Sequence, residues 1–564
     1  MKFKLIIVPA MVLLISGGCK IWRNTTADPR RYGLSVVSIE SRAAPLLRGS
    51  SENTIVTIRI YVRGDGSSRA IKGVLLDFAE TSDVADISGM KILCGLSTVP
   101  VSQHSIVSGF SVKKNEVKVS GNYSLHNGEN LFTVNVGISP EADLNDRLRL
   151  EHLRFILDDG SLLPVEGANA PEFRFATVVR APGQDNCNTY RIPGLITTNE
   201  GTLIAVYDAR FNSSKDLQED INIGMSRSTD GGENWEPMRI IMNMDGYGGR
   251  PRNENGTGDP CVLYDYFTNT IWVAALWLSG SSPDQTVWWA SKPGMSPEET
   301  GQFLLIKSTD DGLSWSKPES ITSQIKDPAW QLLFNGPGRG ITMKDGTLVF
   351  PAQFKADIGE KALDGGQYTC HSTLVWSKDE GKSWHIGTGA KSNTTEAQVV
   401  ELADESLMLN MRDDRNRKDK GETNGRAVAV TRDLGKSWSV HQSSNHALPE
   451  PNCMASLIAA DFKISGSVKR VLFFSNPDSR TTRSHMTIKA SLDEGMTWPK
   501  EYQVLLDQDD GYGYSCLTLI DDETVGILYE GVKELYFQKI PIKDILKGSI
   551  GEGALMTRHK KEEN

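Results

Sequence analysis

The chain has 564 residues, several times the length of an average domain, so two domains or one large closed fold are expected. Hydrophobic residues at 39% against charged residues at 23% exclude a disordered chain. Sixty-one basic and seventy-one acidic residues give a net charge of −10, and no Lys/Arg run is long enough to follow a phosphate backbone, so nucleic acid is excluded as a partner. The 52 Gly and 12 Trp favour an all-β chain over a helical one. The seven cysteines, at 19, 94, 187, 261, 370, 453 and 516, are scattered without a CxxC pair or a His at ligand spacing, which indicates neither a zinc site nor a disulfide scaffold.

Lys2 and Lys4 precede an apolar run from Leu5 to Ile15, then Ser16, Gly17, Gly18 and Cys19. This is the pattern of an export signal over residues 1–19, with a run too short for the roughly 20 residues that cross a bilayer. Its end resembles a bacterial lipoprotein signal, in which Cys19 becomes the acylated N-terminus, although Ser16 stands where that pattern usually has Leu. A bacterial lipoprotein in the periplasm or on the cell surface is therefore expected, otherwise a secreted protein, with lipid as the only membrane attachment. If Cys19 is consumed, six cysteines remain in an oxidising compartment, where up to three bridges are allowed and none can be assigned.

After a linker over residues 20–30, alternating stretches such as Thr54–Val62, Val117–Tyr123 and Leu131–Ile138, separated by Gly, Asn and Asp turns, predict a β-sandwich over residues 31–170. Beyond it the pattern Ser/Thr-x-Asp-x-Gly-x-x-Trp occurs five times, starting at Ser228, Ser308, Ser377, Thr431 and Ser491. Each copy suits a hairpin turn: the Asp and Ser/Thr oxygens cap backbone N–H groups, Gly takes a conformation closed to other residues, and Trp staples the turn to its sheet. Apolar strands Leu203–Val206, Ile271–Trp277, Leu348–Phe350, Leu407–Leu409 and Val471–Phe474 precede the copies, and a sixth, Val525–Leu528, follows the last. Six such repeats predict a six-bladed β-propeller over residues 171–545, followed by a polar tail over 546–564.

In such a ring, charged residues at the strand ends share one pocket whatever their distance in sequence. Arg191 opens the first repeat, Asp208 and Arg210 follow its strand, and Asp216 comes shortly after. Arg412 follows the fourth strand, Arg483 the fifth, and Glu530 ends the sixth. Three arginines converging on one axis repel one another unless an anion lies between them, and a planar guanidinium matches a carboxylate.

Residues 172–545 resemble the bacterial exo-α-sialidase (neuraminidase) family: Tyr190-Arg191-Ile192-Pro193-Gly194-Leu195 is similar to its Phe/Tyr-Arg-Ile-Pro motif, and the five boxes to its Asp-boxes. The resemblance implies a carboxylate-binding triad of Arg191, Arg412 and Arg483, with Arg210 and Asp259 near the 4-position of the sugar. It further implies Asp216 as acid/base, Tyr514 as nucleophile with Glu396 as its base, and Glu530 orienting Arg191. The phenol has a physical logic of its own, because sialic acid carries a carboxylate on its anomeric carbon and an anionic Asp or Glu nucleophile would meet like charge at bonding distance. The expected reaction is retaining hydrolysis of terminal α-linked sialic acids on glycoproteins, glycolipids or oligosaccharides, with no cofactor and no metal. Transfer to another sugar, formation of an anhydro product, and a non-catalytic sialic-acid-binding propeller are the alternatives.

Several neighbours compete for these roles: Glu219 and Asp220 with Asp216, Tyr512 with Tyr514, and Glu401 with Glu396. Asp507–Gly511 reads as an acidic turn rather than a calcium loop, and Trp288-Trp289 as core. Similarity to sialidases with lectin-like modules suggests glycan binding for the sandwich, and a structural role is the alternative.

Overall fold

The computed structural model describes residues 33–548 except 64–68, 97–103, 106, 168–170, 217–218, 278–284 and 465. The expected export signal, Cys19, the linker and residues 549–564 of the expected tail lie outside the described residues. The chain divides into two compact units, and the division is not a single cut: Ala43–Ser50 and Ile138–Arg147 group with the C-terminal unit.

The N-terminal unit is a β-sandwich. One sheet carries Leu34–Glu40, Asn53–Val62, Gly128–Ile138, Ile87–Leu96 and His104–Ser105 in that order. The other carries Arg147–Leu157, Ala70–Phe78, Glu116–Ser124 and Val107–Lys113. Ile58, Ile60, Phe132 and Val134 of the first sheet and Val74, Leu76 and Phe155 of the second are buried, and the Phe132 and Phe155 rings meet at 5.0 Å. The alternating sequence pattern arises because each strand has one face inward.

The C-terminal unit is a six-bladed β-propeller. Blade 1 runs Thr189–Thr197, Leu203–Arg210, Ile221–Ser228, Arg239–Met242, and blade 2 Thr257–Asp265, Thr270–Trp277, Gln302–Ser308, Glu319–Ser320. Blades 4 and 5 are likewise meanders, beginning at Thr394–Glu401 and Ser456–Ile464. Blade 6 takes Ser515–Leu519, Thr524–Glu530 and Leu535–Pro541 from the end of the repeats and its fourth strand, Glu172–Arg180, from before the first. This exchange closes the ring. It also accounts for five boxes in six blades, because each box joins the third strand to the fourth and blade 6 has no such turn.

The six apolar strands read from the sequence are each the second strand of a blade. Leu203–Arg210, Thr270–Trp277 and Leu348–Ala356 are buried throughout, hence their near-continuous apolar character. The first strands line the axis and touch across blades: Leu195 N–H donates to Cys516 Sγ at 3.2 Å and Leu517 N–H to Ser456 Oγ at 2.9 Å. In blade 3 the first strand is broken. Leu332–Asn335 and Ile341–Thr342 both pair with Leu348–Ala356, while Gly338–Arg339 between them crosses to pair in parallel with the first strand of blade 2.

All five boxes have one geometry. In the first, Ser228 Oγ donates to Asp230 Oδ1 at 2.8 Å and accepts Gly232 N–H at 2.9 Å, while Asp230 Oδ1 accepts Asn234 N–H at 2.9 Å. Gly232 has φ +93°, and a Cβ there would lie 2.0 Å from the Phe537 ring. The six described cysteines are buried and free. Leu546, at the start of the expected polar tail, is buried beside Ile542 and Ile545 in the core of blades 5 and 6, so ordered packing continues past residue 545. Trp288 packs beside Phe334, whereas Trp289 is 51% exposed, so only the first of that pair joins the core.

Candidate active site

The site lies at the ends of the first and second strands. Three first strands carry a bulge there, with a non-Gly residue in the left-handed region: Ile192 at φ 60°, Asp259 at 57° and Glu396 at 24°. A bulge breaks the strand alternation and turns a side chain out of its sheet, which is how Arg191, Asp259 and Glu396 come to face the axis.

Glu530 anchors the centre. Its Oε1 accepts Arg191 Nε at 3.1 Å and Ile192 N–H at 2.8 Å, and its Oε2 accepts Tyr514 N–H at 2.9 Å. Arg191 Nη1 reaches Asp216 Oδ1 at 2.7 Å, and Arg210 Nη1 reaches the same oxygen at 2.6 Å. Arg210 is held from behind by Asp208, whose Oδ1 also accepts Asp259 N–H at 2.9 Å. Opposite, Tyr514 OH donates to Glu396 Oε1 and accepts from Arg412 Nη1 at 3.1 Å, and Arg412 Nη1 also bonds Glu396 Oε2. Asn452 links the last two arginines, taking Arg412 Nη2 on its side chain at 3.0 Å and Arg483 Nη2 on its carbonyl at 3.1 Å. The Arg191 and Arg483 guanidiniums stand 5.2 and 5.6 Å from the centre of the Tyr514 ring. All nine expected site residues therefore fall in one connected cluster.

Three of the competing residues are sorted by their partners. Asp220 pairs with Arg252 at 2.9 Å rather than with the cluster. Glu401 accepts Lys344 N–H at 3.0 Å, five residues along its strand from Glu396. Tyr512 gives its carbonyl to Arg483 at 2.9 Å and its ring to Arg191 at 4.4 Å, lining the site without reaching Glu396.

Burial pushes the Tyr514 phenol well above its ordinary value, and the Glu396 carboxylate adds to this against Arg412 and Arg483. Burial would raise Glu396 too, but Arg412 and the Tyr514 hydrogen bond hold it below the usual carboxylate value, so it is a charged acceptor for the phenol proton. Asp216 is held low by Arg191 and Arg210 in spite of desolvation. Asp208, buried, rises to about 6 even with Arg210 beside it, and Asp259 is pushed well up by burial and then by the Asp208 carboxylate.

Sequence reasoning missed Asn452, Gln353, whose Oε1 accepts Glu396 N–H at 2.9 Å, and the buried pair Arg426–Glu450 behind Glu396. None stands in a repeated motif. Only Asp208, two residues before Arg210, was visible as a charge in an otherwise apolar strand.

Residues 201–527 match the BNR repeat-like domain model. A sialidase of Bacteroides fragilis is 41% identical over 549 residues, covering 92% of this chain and 97% of the relative. The chain belongs to the sialidase family. A Micromonospora viridifaciens sialidase is 32% identical over 353 residues, covering 62% of this chain and 50% of that one. The solved structure of a Hadza microbial sialidase, at 41% identity, superposes with a TM-score of 0.79 over 90% of this chain and 99% of its own. The box repeats and the propeller are thus family features in this sialidase, and its arginine cluster stands on them.

Proposed function

We propose that this protein is an exo-α-sialidase that releases terminal α-linked sialic acids from glycoproteins, glycolipids or oligosaccharides by a retaining double displacement. The observation that carries the reading is the Tyr514 phenol, hydrogen-bonded to the charged Glu396 and set among Arg191, Arg412 and Arg483. The three guanidiniums take the sugar carboxylate, with Glu530 fixing Arg191 and Asn452 fixing the other two. Tyr514 Oη attacks the anomeric carbon as its proton passes to Glu396, and Asp216 gives its proton to the departing glycosidic oxygen. The C–O bond to the aglycone breaks and a sialyl-tyrosine forms; Asp216 then takes a proton from the water that attacks the same carbon, the bond to Tyr514 Oη breaks, and Tyr514 recovers its proton from Glu396. Two inversions retain configuration. The guanidiniums also stabilise the charge distribution of an oxocarbenium-like transition state. Asp259 and the Arg210–Asp208 pair form the wall that meets the sugar's 4-position.

The decisive experiment is release of sialic acid from an aryl α-sialoside, followed by NMR in deuterated water. An α-configured first product from the unmodified protein and loss of release in Tyr514→Phe are expected. A transferred or anhydro product would replace hydrolysis with one of the alternative reactions, and no turnover at all would favour a lectin.

We further propose export through residues 1–19 with acylation of Cys19, giving a lipoprotein in the periplasm or on the cell surface. The spacing of Lys2, Lys4, the apolar run and Cys19 supports it. Labelling with a palmitate analogue should mark the unmodified protein and not Cys19→Ala.

A further inference from the structure

The strands that gather the active site at one end gather a second set of residues at the other. Arg191 and Thr197, Asp259 and Tyr264, and Glu396 and Glu401 share strands, and Tyr514 directly precedes the strand of Thr518, at separations of four to six residues, about 13–20 Å. At that end lies a cavity of about 290 Å³ lined by the propeller unit, with Arg339 and Thr198 in its wall.

Arg339 is brought there by the break in blade 3. Gly338 before it has φ +100°, and a Cβ there would lie 2.6 Å from Met454 Cε; at Gly340 after it, a Cβ would lie 2.6 Å from Val349 O. Only glycines allow this crossing. Its Nη1 donates to Leu517 O at 3.1 Å, its Nε has no partner, and among the described residues no carboxylate reaches it. Its charge is opposed only by the thiols of Cys261 and Cys516, and burial keeps both protonated. The Thr198 hydroxyl, on a residue 4% exposed, is also without a partner. The other charges at this end balance: Arg470 grips Asp461 through two bonds of 2.7 Å, and Glu401 faces Lys344. One uncompensated guanidinium remains, with its Nε buried, and a partly buried cation without a counter-charge is costly. Leu457, Ile458 and Ala459 give one part of the wall an apolar surface.

We propose that this cavity binds a small monocarboxylate, its oxygens on the Arg339 guanidinium and the Thr198 hydroxyl and its short hydrocarbon part against the apolar wall. One net positive charge calls for a monoanion, and a planar fork for a planar oxyanion. Thr198 belongs to blade 1, Arg339 pairs with blade 2 and Leu517 to blade 6, so the ligand ties three blades and its binding raises the stability of the ring. The site is independent of the catalytic reading, because it shares no residue with the active site.

The test is the thermal unfolding midpoint of the full chain in increasing sodium acetate at ionic strength fixed with sodium chloride, with acetamide as the uncharged control. Arg483→Gln is the background protein, so that carboxylate binding at the active site is weakened. A saturable rise on the order of 2–4 °C with acetate and none with acetamide is expected, lost when Arg339→Met is added. A rise that survives Arg339→Met, or no rise at all, overturns the proposal. Should the Arg339→Met protein not fold, Thr198→Val must reduce the rise, and crystals of the Arg483→Gln protein soaked in acetate must show planar density on Arg339; failure of either overturns it as well.

Discussion

Asp216 and Arg191 meet through Oδ1 and Nη1 at 2.7 Å, so the carboxylate expected to donate a proton is held by a guanidinium expected to bind the substrate. Asp216 is 64% exposed in its side chain, on a segment outside the propeller strands. Desolvation pushes its carboxyl up, but Arg191 and Arg210 outweigh it and hold Asp216 ionised. A substrate carboxylate on Arg191 removes that partner and adds a negative charge nearby, and both effects raise the Asp216 value. The kcat profile, which reports the complex, is therefore expected to keep its basic limb at higher pH than the kcat/KM profile, which reports the free enzyme. Asp216→Ala should lower kcat by about 10²–10⁴ on an unactivated sialoside, and less on an aryl sialoside whose leaving group needs no proton. Coincident basic limbs would assign the proton to another group.

Tyr514→Phe removes one oxygen and leaves the ring between Arg191 and Arg483, with Glu396 and Arg412 still paired. Loss of a nucleophile costs far more than loss of a hydrogen bond, and a fall in kcat on the order of 10³–10⁶ is expected with the fold retained. Steady-state rates together with circular dichroism check both halves. A fall below tenfold in a folded protein would leave the phenol without a covalent role.

The six blades and six of the candidate site residues, Arg191, Arg210, Asp216, Arg412, Arg483 and Glu530, were legible because each leaves a local mark: a box, an apolar run, or an arginine or carboxylate where a strand ends or shortly after it. Asp259, Glu396 and Tyr514 were reached only through the family resemblance. The bulges at Ile192, Asp259 and Glu396 left no such mark, since a left-handed backbone is usually announced by Gly or Asn and here falls on a β-branched Ile, an Asp and a Glu. Asn452 and Gln353 act through partners set by blade packing, about 30–40 residues away in sequence, which no periodicity encodes. Glu172–Arg180 read as the start of the propeller, but its pairing with Leu535–Pro541 is a closure some 360 residues long. Trp289 was misjudged because an aromatic pair carries no sign of which member faces water.

Arg426 ties the site to its support. Fully buried, it donates to Glu450 Oε2 at 2.8 Å, Cys453 O at 2.6 Å, Asn410 Oδ1 at 2.7 Å and Glu396 O at 3.4 Å, so it joins the backbones that carry Glu396, Arg412 and Asn452. Arg426→Met leaves Glu450 a buried charge without its partner, and a loss of about 3–5 kcal/mol is expected in denaturant unfolding, with activity lost in parallel. Arg426→Lys keeps the charge but not the fork, so a smaller loss is expected. An unchanged midpoint in Arg426→Met would deny the pair its structural role.

The boxes give the fold an acid limit. Asp310, Asp379 and Asp433 are each pulled down to about 2, first by a Ser hydroxyl four residues on, at 2.5, 2.6 and 2.6 Å, and then by that residue's backbone N–H. In the unfolded chain an aspartate titrates near 3.9, so the native state holds the ionised form more tightly. The stability this adds is complete above about pH 4 and disappears as pH falls through about 2. Asn at the three positions cannot titrate. The triple Asp→Asn protein is therefore expected to be less stable than the unmodified one at pH 6, with the gap narrowing as pH falls from 4 to 2 in chemical unfolding followed by Trp fluorescence. A gap constant across that range would mean that the three carboxylates do not titrate with folding.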